Sequence, residues 1–133
     1  MERDVYSGRL RLLGEEHKKT LIAASNYADS LRDLQHFEEA RSLLRRTIRV
    51  ARRVLGEEHR VTLKMRLNYA AALSEADGAT LDDLREAVTT LEDAARIARR
   101  VLGGAHPITT GIESGLREAR AALRARETPS PPG

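Results

Sequence analysis

The chain has no cysteine and no tryptophan, and only one phenylalanine and three tyrosines among its 133 residues. Without cysteine there is no disulfide framework, no thiol nucleophile and no cysteine-ligated zinc, and nothing points to an oxidising compartment, so a cytoplasmic setting is expected. Long apolar runs are also missing. The opening "MERDVYSGRLRLLG" has no signal-peptide core, and no stretch is long enough to cross a bilayer, so no membrane partner is expected. Charge is nearly balanced, with a net +3 that favours an anionic partner only weakly. Glycine-rich phosphate loops, a nucleophile elbow and a His-Glu-x-x-His metal motif are all absent. Neither catalysis nor a cofactor is therefore expected.

The residues that are abundant are leucine, alanine, arginine and glutamate, with charged residues making up 32% of the chain. That composition fits an all-α protein of one domain rather than a β-sandwich or a disordered chain. The pattern within it is a repeat. Gly14, Gly56 and Gly103 each follow a leucine and precede a histidine by three positions, in "LGEEH", "LGEEH" and "LGGAH". Leu13 to Leu31 and Leu55 to Leu73 share eleven of nineteen residues, among them Thr20/Thr62, Asn26/Asn68 and Tyr27/Tyr69. Glu38 to Gly56 and Arg85 to Gly103 share ten of nineteen. The first offset is 42 and the second 47, which places five extra residues in "EADGATLDDLRE", around the turn signal Asp77-Gly78.

Each unit reads as two helices. Leu21, Ala24, Tyr27, Ala28 and Leu31 recur at spacings of three and four, as do Leu44, Ile48, Ala51 and Leu55, which is the helical period. The three glycines suit the position just past a helix end, where a left-handed backbone is needed, and Pro107 suits a first helical turn. The spacing predicts helices over 2–13, 18–33, 37–55, 60–76, 81–102 and 107–126, with residues 127–133, "ETPSPPG", a disordered tail. Arg11, Leu12 and Leu13 align with Arg53, Val54 and Leu55, so the first helix is the second half of a unit and residues 1–126 hold about two and a half repeats.

Leu-Gly-Glu-Glu-His-x-x-Thr-Leu, then Asn-Tyr-Ala-x-x-Leu, Phe-Glu-Glu-Ala and a long basic helix resemble tetratricopeptide repeats of the kinesin-light-chain type. The resemblance implies a right-handed helical-hairpin solenoid of six helices, in which the first helix of each pair lines a concave groove. It also implies that the groove binds an extended segment of a partner protein, with asparagines at the positions of Asn26 and Asn68 holding the ligand backbone. An amide side chain suits that task because it offers both a donor and an acceptor. Gly115 stands where a third asparagine belongs, so the last helix is expected to cap the stack rather than clamp.

The neighbours on the same helix faces are Lys19, Ile22, Asp29 and Asp33 around Asn26, and Val61, Lys64, Ala71 and Glu75 around Asn68. Their mixed charge does not select a strongly acidic ligand. Arg41, Arg45, Arg49 and Arg52 form a basic stripe on a second helix. Weak nucleic-acid binding there is an alternative, disfavoured because no aromatic stacking platform accompanies the arginines. His17, His59 and His106 lie one repeat apart, too far to share a metal, and are expected to pack the turns. The other alternative is a piece of a longer solenoid, or a homo-oligomer joined through its end helices, because an unfinished unit leaves an apolar face to cover.

Overall fold

A leucine-glycine step followed by a histidine three residues on does produce a chain reversal, three times. In the computed structural model, which describes residues 1–128, Gly14, Gly56 and Gly103 have φ of 87°, 94° and 90°. The Gly56 and Gly103 N–H groups reach back to the carbonyls of Ala51 and Ala98 at 3.1 and 3.2 Å, satisfying acceptors that a helix end leaves open. Beyond the glycine, each histidine caps the next helix. The Nδ1 atoms of His17, His59 and His106 accept from the N–H groups of Lys19, Val61 and Ile108, each at 3.1 Å. The histidines are therefore helix caps, in the place that serine or aspartate more commonly fills. The threonine of each turn adds a third tie in two units: Thr20 Oγ1 donates to the Arg9 carbonyl at 3.2 Å and Thr62 Oγ1 to that of Ala51 at 3.5 Å.

The helices joined in this way are α1 (Glu2–Leu13), α2 (Lys18–Asp33), α3 (Phe37–Val54), α4 (Arg60–Ser74), α5 (Leu81–Val101) and α6 (Pro107–Glu127). There is no strand among the described residues. The helix ends expected from the sequence are met within two residues. The insertion is shared between turn and helix, since the second unit turns over 75–80 where the first uses 34–36, and α5 has 21 residues against 18 in α3. Thr80 and Asp83 close a capping box there, each side chain accepting from the other's N–H at 3.0 Å. Of the expected tail, Glu127 ends α6, and 129–133 lie outside the described residues.

Helices α2, α4 and α6 pack side by side, while α3 lies across α2 and α4, and α5 across α4 and α6; α3 and α5 do not pack backbone against backbone and meet through the Arg41–Asp83 pair. Closer spacing on one side of a stack bends it toward that side, so α2, α4 and α6 form the concave face. Alanines set how near the helices come: Ala24, Ala28, Ala40, Ala51, Ala70, Ala87, Ala94 and Ala98 are all fully buried. Leu21, Leu44, Leu63, Met65, Leu73, Leu91 and Ile112 fill the spaces between them.

The glycine requirement is testable because a Cβ at Gly56 or at Gly78 meets nothing within 4 Å, while only Gly56 has a left-handed φ. Gly56→Ala is expected to cost about 1–2 kcal/mol from backbone strain alone. Gly78→Ala is expected to be neutral within about 0.5 kcal/mol. Urea unfolding of the two variants checks the difference.

Candidate functional site

The concave face between α2 and α4 is crossed by one continuous row of polar side chains. Lys64 Nζ lies 2.8 Å from Asp29 Oδ2. Asp29 Oδ1 accepts from Asn68 Nδ2 at 2.6 Å, and Asn68 Oδ1 accepts from Arg32 Nη1 at 3.5 Å. Arg32 then grips Glu75 with two parallel bonds, Nε to Oε2 at 3.2 Å and Nη2 to Oε1 at 3.0 Å. The hydrogen bond from Arg32 to Glu75 raises the Arg32 pKa against the cost of its burial, so the guanidinium stays charged. Helical spacing makes the row possible: Asp29 and Arg32 are three apart on α2, and Lys64 and Asn68 four apart on α4, so each pair shares a face.

The structure separates the two asparagines that the sequence aligns. Asn26 is exposed, whereas Asn68 is 1% exposed and its amide is occupied by Asp29 on one side and Arg32 on the other. Both ends of the Asn68 amide are therefore engaged within the chain. Its amide joins two repeats. Lys19, Ile22 and Asn26 come together at the other edge of α2, where they line a groove of about 190 Å³ with Val5, Arg9 and Ala23. Asp29 and Lys64 belong to the row, and Ala71 is buried beneath the surface at 6% exposure.

Sequence reasoning missed Arg32. Its counterpart in the next unit is Ser74, so the repeat gives no signal for it. The available signal was its place three residues after Asp29, on a face already marked as groove. On α6 the row has no continuation, because Gly111 and Gly115 replace Lys64 and Asn68. A Cβ at either would lie 3.4 Å from a Leu67 methyl, so α4 and α6 meet by close apolar packing. The positions of buried Ala28/Ala70 and Leu31/Leu73 become exposed Arg117 and Arg120 on α6, which gives that side a solvated cap.

The arginine stripe on α3 is largely engaged within the protein. Arg41 bridges to Asp83 of α5 at 2.9 Å, Arg45 reaches the Tyr69 hydroxyl at 3.4 Å, and Arg52 pairs with Glu57 at 2.8 Å. Arg53 pairs with Glu16, and Arg100 repeats that contact one unit on with Glu58 at 2.7 Å. Such pairs hold neighbouring units in register more than they offer a polyanion a free surface. Among the described residues no group of His, Asp and Glu side chains is arranged to hold a metal ion, and no helix is long and apolar enough to cross a membrane.

Stacked helical hairpins with a polar first-helix face define an interaction solenoid of helical repeats. Sequence models of the tetratricopeptide repeat match residues 19–80 and 79–108, together well over half of the chain. The chain belongs to the tetratricopeptide-repeat family, whose repeats are a non-enzymatic scaffold type that mediates protein–protein interaction. No curated protein matches it.

The difference between the asparagines has a measurable consequence. Asn68→Ala leaves Asp29 and Arg32 without their shared partner in a buried position and is expected to cost about 1–3 kcal/mol, while Asn26→Ala is expected to stay within about 0.5 kcal/mol. Equal losses in chemical denaturation would contradict this placement. The caps give a second test. Burial first, and then the nearby charges of Lys18 and Arg60, hold the His59 pKa below its ordinary 6.5. The unfolded chain therefore takes up the proton first. Stability from the neutral cap is complete above pH 6.5 and is lost as pH falls through the lowered folded value. Between about pH 7.5 and about pH 5 the unfolding midpoint of His59→Asn, a cap that does not titrate, should fall less than that of the parent protein.

Proposed function

We propose that this protein is a non-catalytic scaffold that seats a segment of a partner protein along the exposed side of its first helices, anchored at Asn26. The observation that carries the reading is the exposed amide of Asn26, set in a groove with an apolar floor from half-buried Ile22 and buried Ala23 and cationic walls from Arg9 and Lys19. A carboxamide pairs with a donor and an acceptor at once. It can hold a peptide unit of an extended segment, or an acid and a base side chain together, as Asn68 does within the chain. Lys19 and Lys64 set the preferred charge of the segment, and Lys64 is only partly neutralised by Asp29, since both side chains remain about a third or more exposed at 43% and 32%. The 42-residue spacing of the first two turns supports placing the repeats with the kinesin-light-chain-like type.

Selection of a displayed random-peptide library on the protein tests this and needs no identified partner. Selected binders are expected to lose about tenfold in affinity, roughly 1.4 kcal/mol, when Asn26 is replaced by alanine, and a comparable amount with Lys19→Ala. Both positions are exposed, so melting should be unchanged. Binders that ignore both substitutions would overturn the assignment of the site.

A further inference from the structure

Asn26 and Asn68 hold the same position in successive units, and what distinguishes them is a helix. Helix α2 lies over Asn68, and no described residue lies over Asn26 in the same way. The receiving positions can be followed through all three first helices. On α4, Lys64, Asn68 and Glu75 receive Asp29 and Arg32 from α2. On α6, Gly111 and Gly115 receive Leu67 from α4. On α2, the corresponding residues are Ile22, Asn26 and Asp33, of which Asn26 is exposed and Asp33, at the helix end, is exposed as well.

The second helices show the same contrast. In α3, Leu43, Thr47 and Val50 are 5–7% exposed, facing Tyr6, Leu21, Ala24 and Tyr27 of the preceding helices. Their counterparts in α1 are Met1, Val5 and Gly8. Met1 is 97% and Val5 46% exposed, and Val5 continues the apolar floor formed by Ile22 and Ala23. Two departures from the repeat sit at the rim: Arg9 stands where α3 and α5 have the fully buried Ala51 and Ala98, and Lys19 where α4 has Val61. They add positive charge around the groove.

Resting on the reading that Asn26 anchors a partner segment, we infer that this segment is an amphipathic helix that lies over Asn26 as α2 lies over Asn68. It carries an aspartate for Asn26 Nδ2 and, three residues later, an arginine for Asn26 Oδ1 and Asp33. Four residues before the aspartate it carries a small side chain, as Ser25 is in α2, because Ile22 is the receiving residue there. Helical geometry is required by the spacing. Residues three apart lie on one face of a helix, about 4.5 Å along its axis. In an extended segment they point to opposite sides. An apolar stripe on the helix beside the aspartate covers Val5, and further acidic residues at its edges meet Arg9 and Lys19.

The chain supplies its own probe, a synthetic peptide of residues 18–34, stapled in helical form on the face away from Ser25, Asp29 and Arg32. Binding to the full chain is read by fluorescence polarisation, and the location by amide chemical shifts. The peptide is expected to bind with shifts at Val5, Ile22, Asn26 and Asp33. Replacing Asp29 or Arg32 by alanine in the peptide should weaken binding about tenfold, as should Asn26→Leu or Asp33→Lys in the protein. No binding, or binding indifferent to these changes, overturns the helix. If library-selected extended peptides still depend on Asn26, the helix is overturned while the partner site stands; if they do not, both fall. Self-association of the chain that Asn26→Leu abolishes would make a second copy the occupant and overturn the assignment to a partner protein.

Discussion

The rest of the fold depends on the pinned reversal between the second helix of one unit and the first helix of the next. A glycine near φ 90° turns the chain, a histidine Nδ1 caps the new helix, and in two units a threonine hydroxyl ties that helix to a carbonyl eleven residues back. These three ties act on different degrees of freedom: direction, helix start and closeness. Together they fix the angle at which α2 and α4 leave their predecessors, and hence where the fully buried alanines meet. The third turn is looser in one respect, since the Thr109 hydroxyl is buried without a partner. Pro107, found only at this turn, fixes the first residue of α6 by its ring instead.

Beyond the turns, successive units are joined by charge. Arg32–Glu75, Arg41–Asp83 and Arg100–Glu58 each link residues about one repeat apart, at 3.0, 2.9 and 2.7 Å. The first and last are exposed and contribute roughly 0–1 kcal/mol each, and Arg41–Asp83, though partly buried, offsets its gain by desolvation, so such pairs do too little to drive folding. Apolar burial drives it, while the pairs disfavour slippage of one hairpin along the next. The most buried charged side chain among the described residues, Arg66, lies 2.8 Å from Asp93, between α4 and α5. Burial pushes the Asp93 carboxyl up, but the hydrogen bond and charge of Arg66, helped by Arg96, prevail and hold it below its ordinary value. Stability of such a stack is close to a sum over neighbours, so loss of one contact is felt mainly in its own and the adjoining hairpin.

Helices, turns and units were legible in the sequence because their signals are local. Glycine, histidine and the three-four spacing of apolar residues act within a few positions of themselves, and the structure places all six helices within two residues of the expected ends. The site was legible only in part, for a physical reason. Aligning Asn26 with Asn68 identifies a shared position, but whether that position is open depends on the residues that a neighbouring helix lays across it. Asp29 and Arg32 together decide the matter for Asn68, and neither is repeated, since their counterparts are Ala71 and Ser74, so internal comparison is blind to the contact. The arginine stripe is the converse case. It is conspicuous in sequence and is largely used up by Asp83, Tyr69, Glu57 and Glu16, acceptors that lie on other helices and turns.

A repeat array distributes its chemistry by the differences between equivalent positions. The position of Asn26 is an open amide in the first unit, a buried bridge in the second and a glycine pressed against Leu67 in the third. The corresponding edge therefore runs from receptive, through satisfied, to closed. Polarity follows the same direction, since exposed Met1, Val5 and Leu12 lie at one end and Arg117 and Arg120 at the other. An amide in water gains little from facing solvent, and an apolar stripe beside it costs free energy while uncovered. Of the three equivalent positions, only the first combines unsatisfied hydrogen-bonding capacity with uncovered apolar area. That combination, rather than the presence of an asparagine, sets the first position apart from its two counterparts.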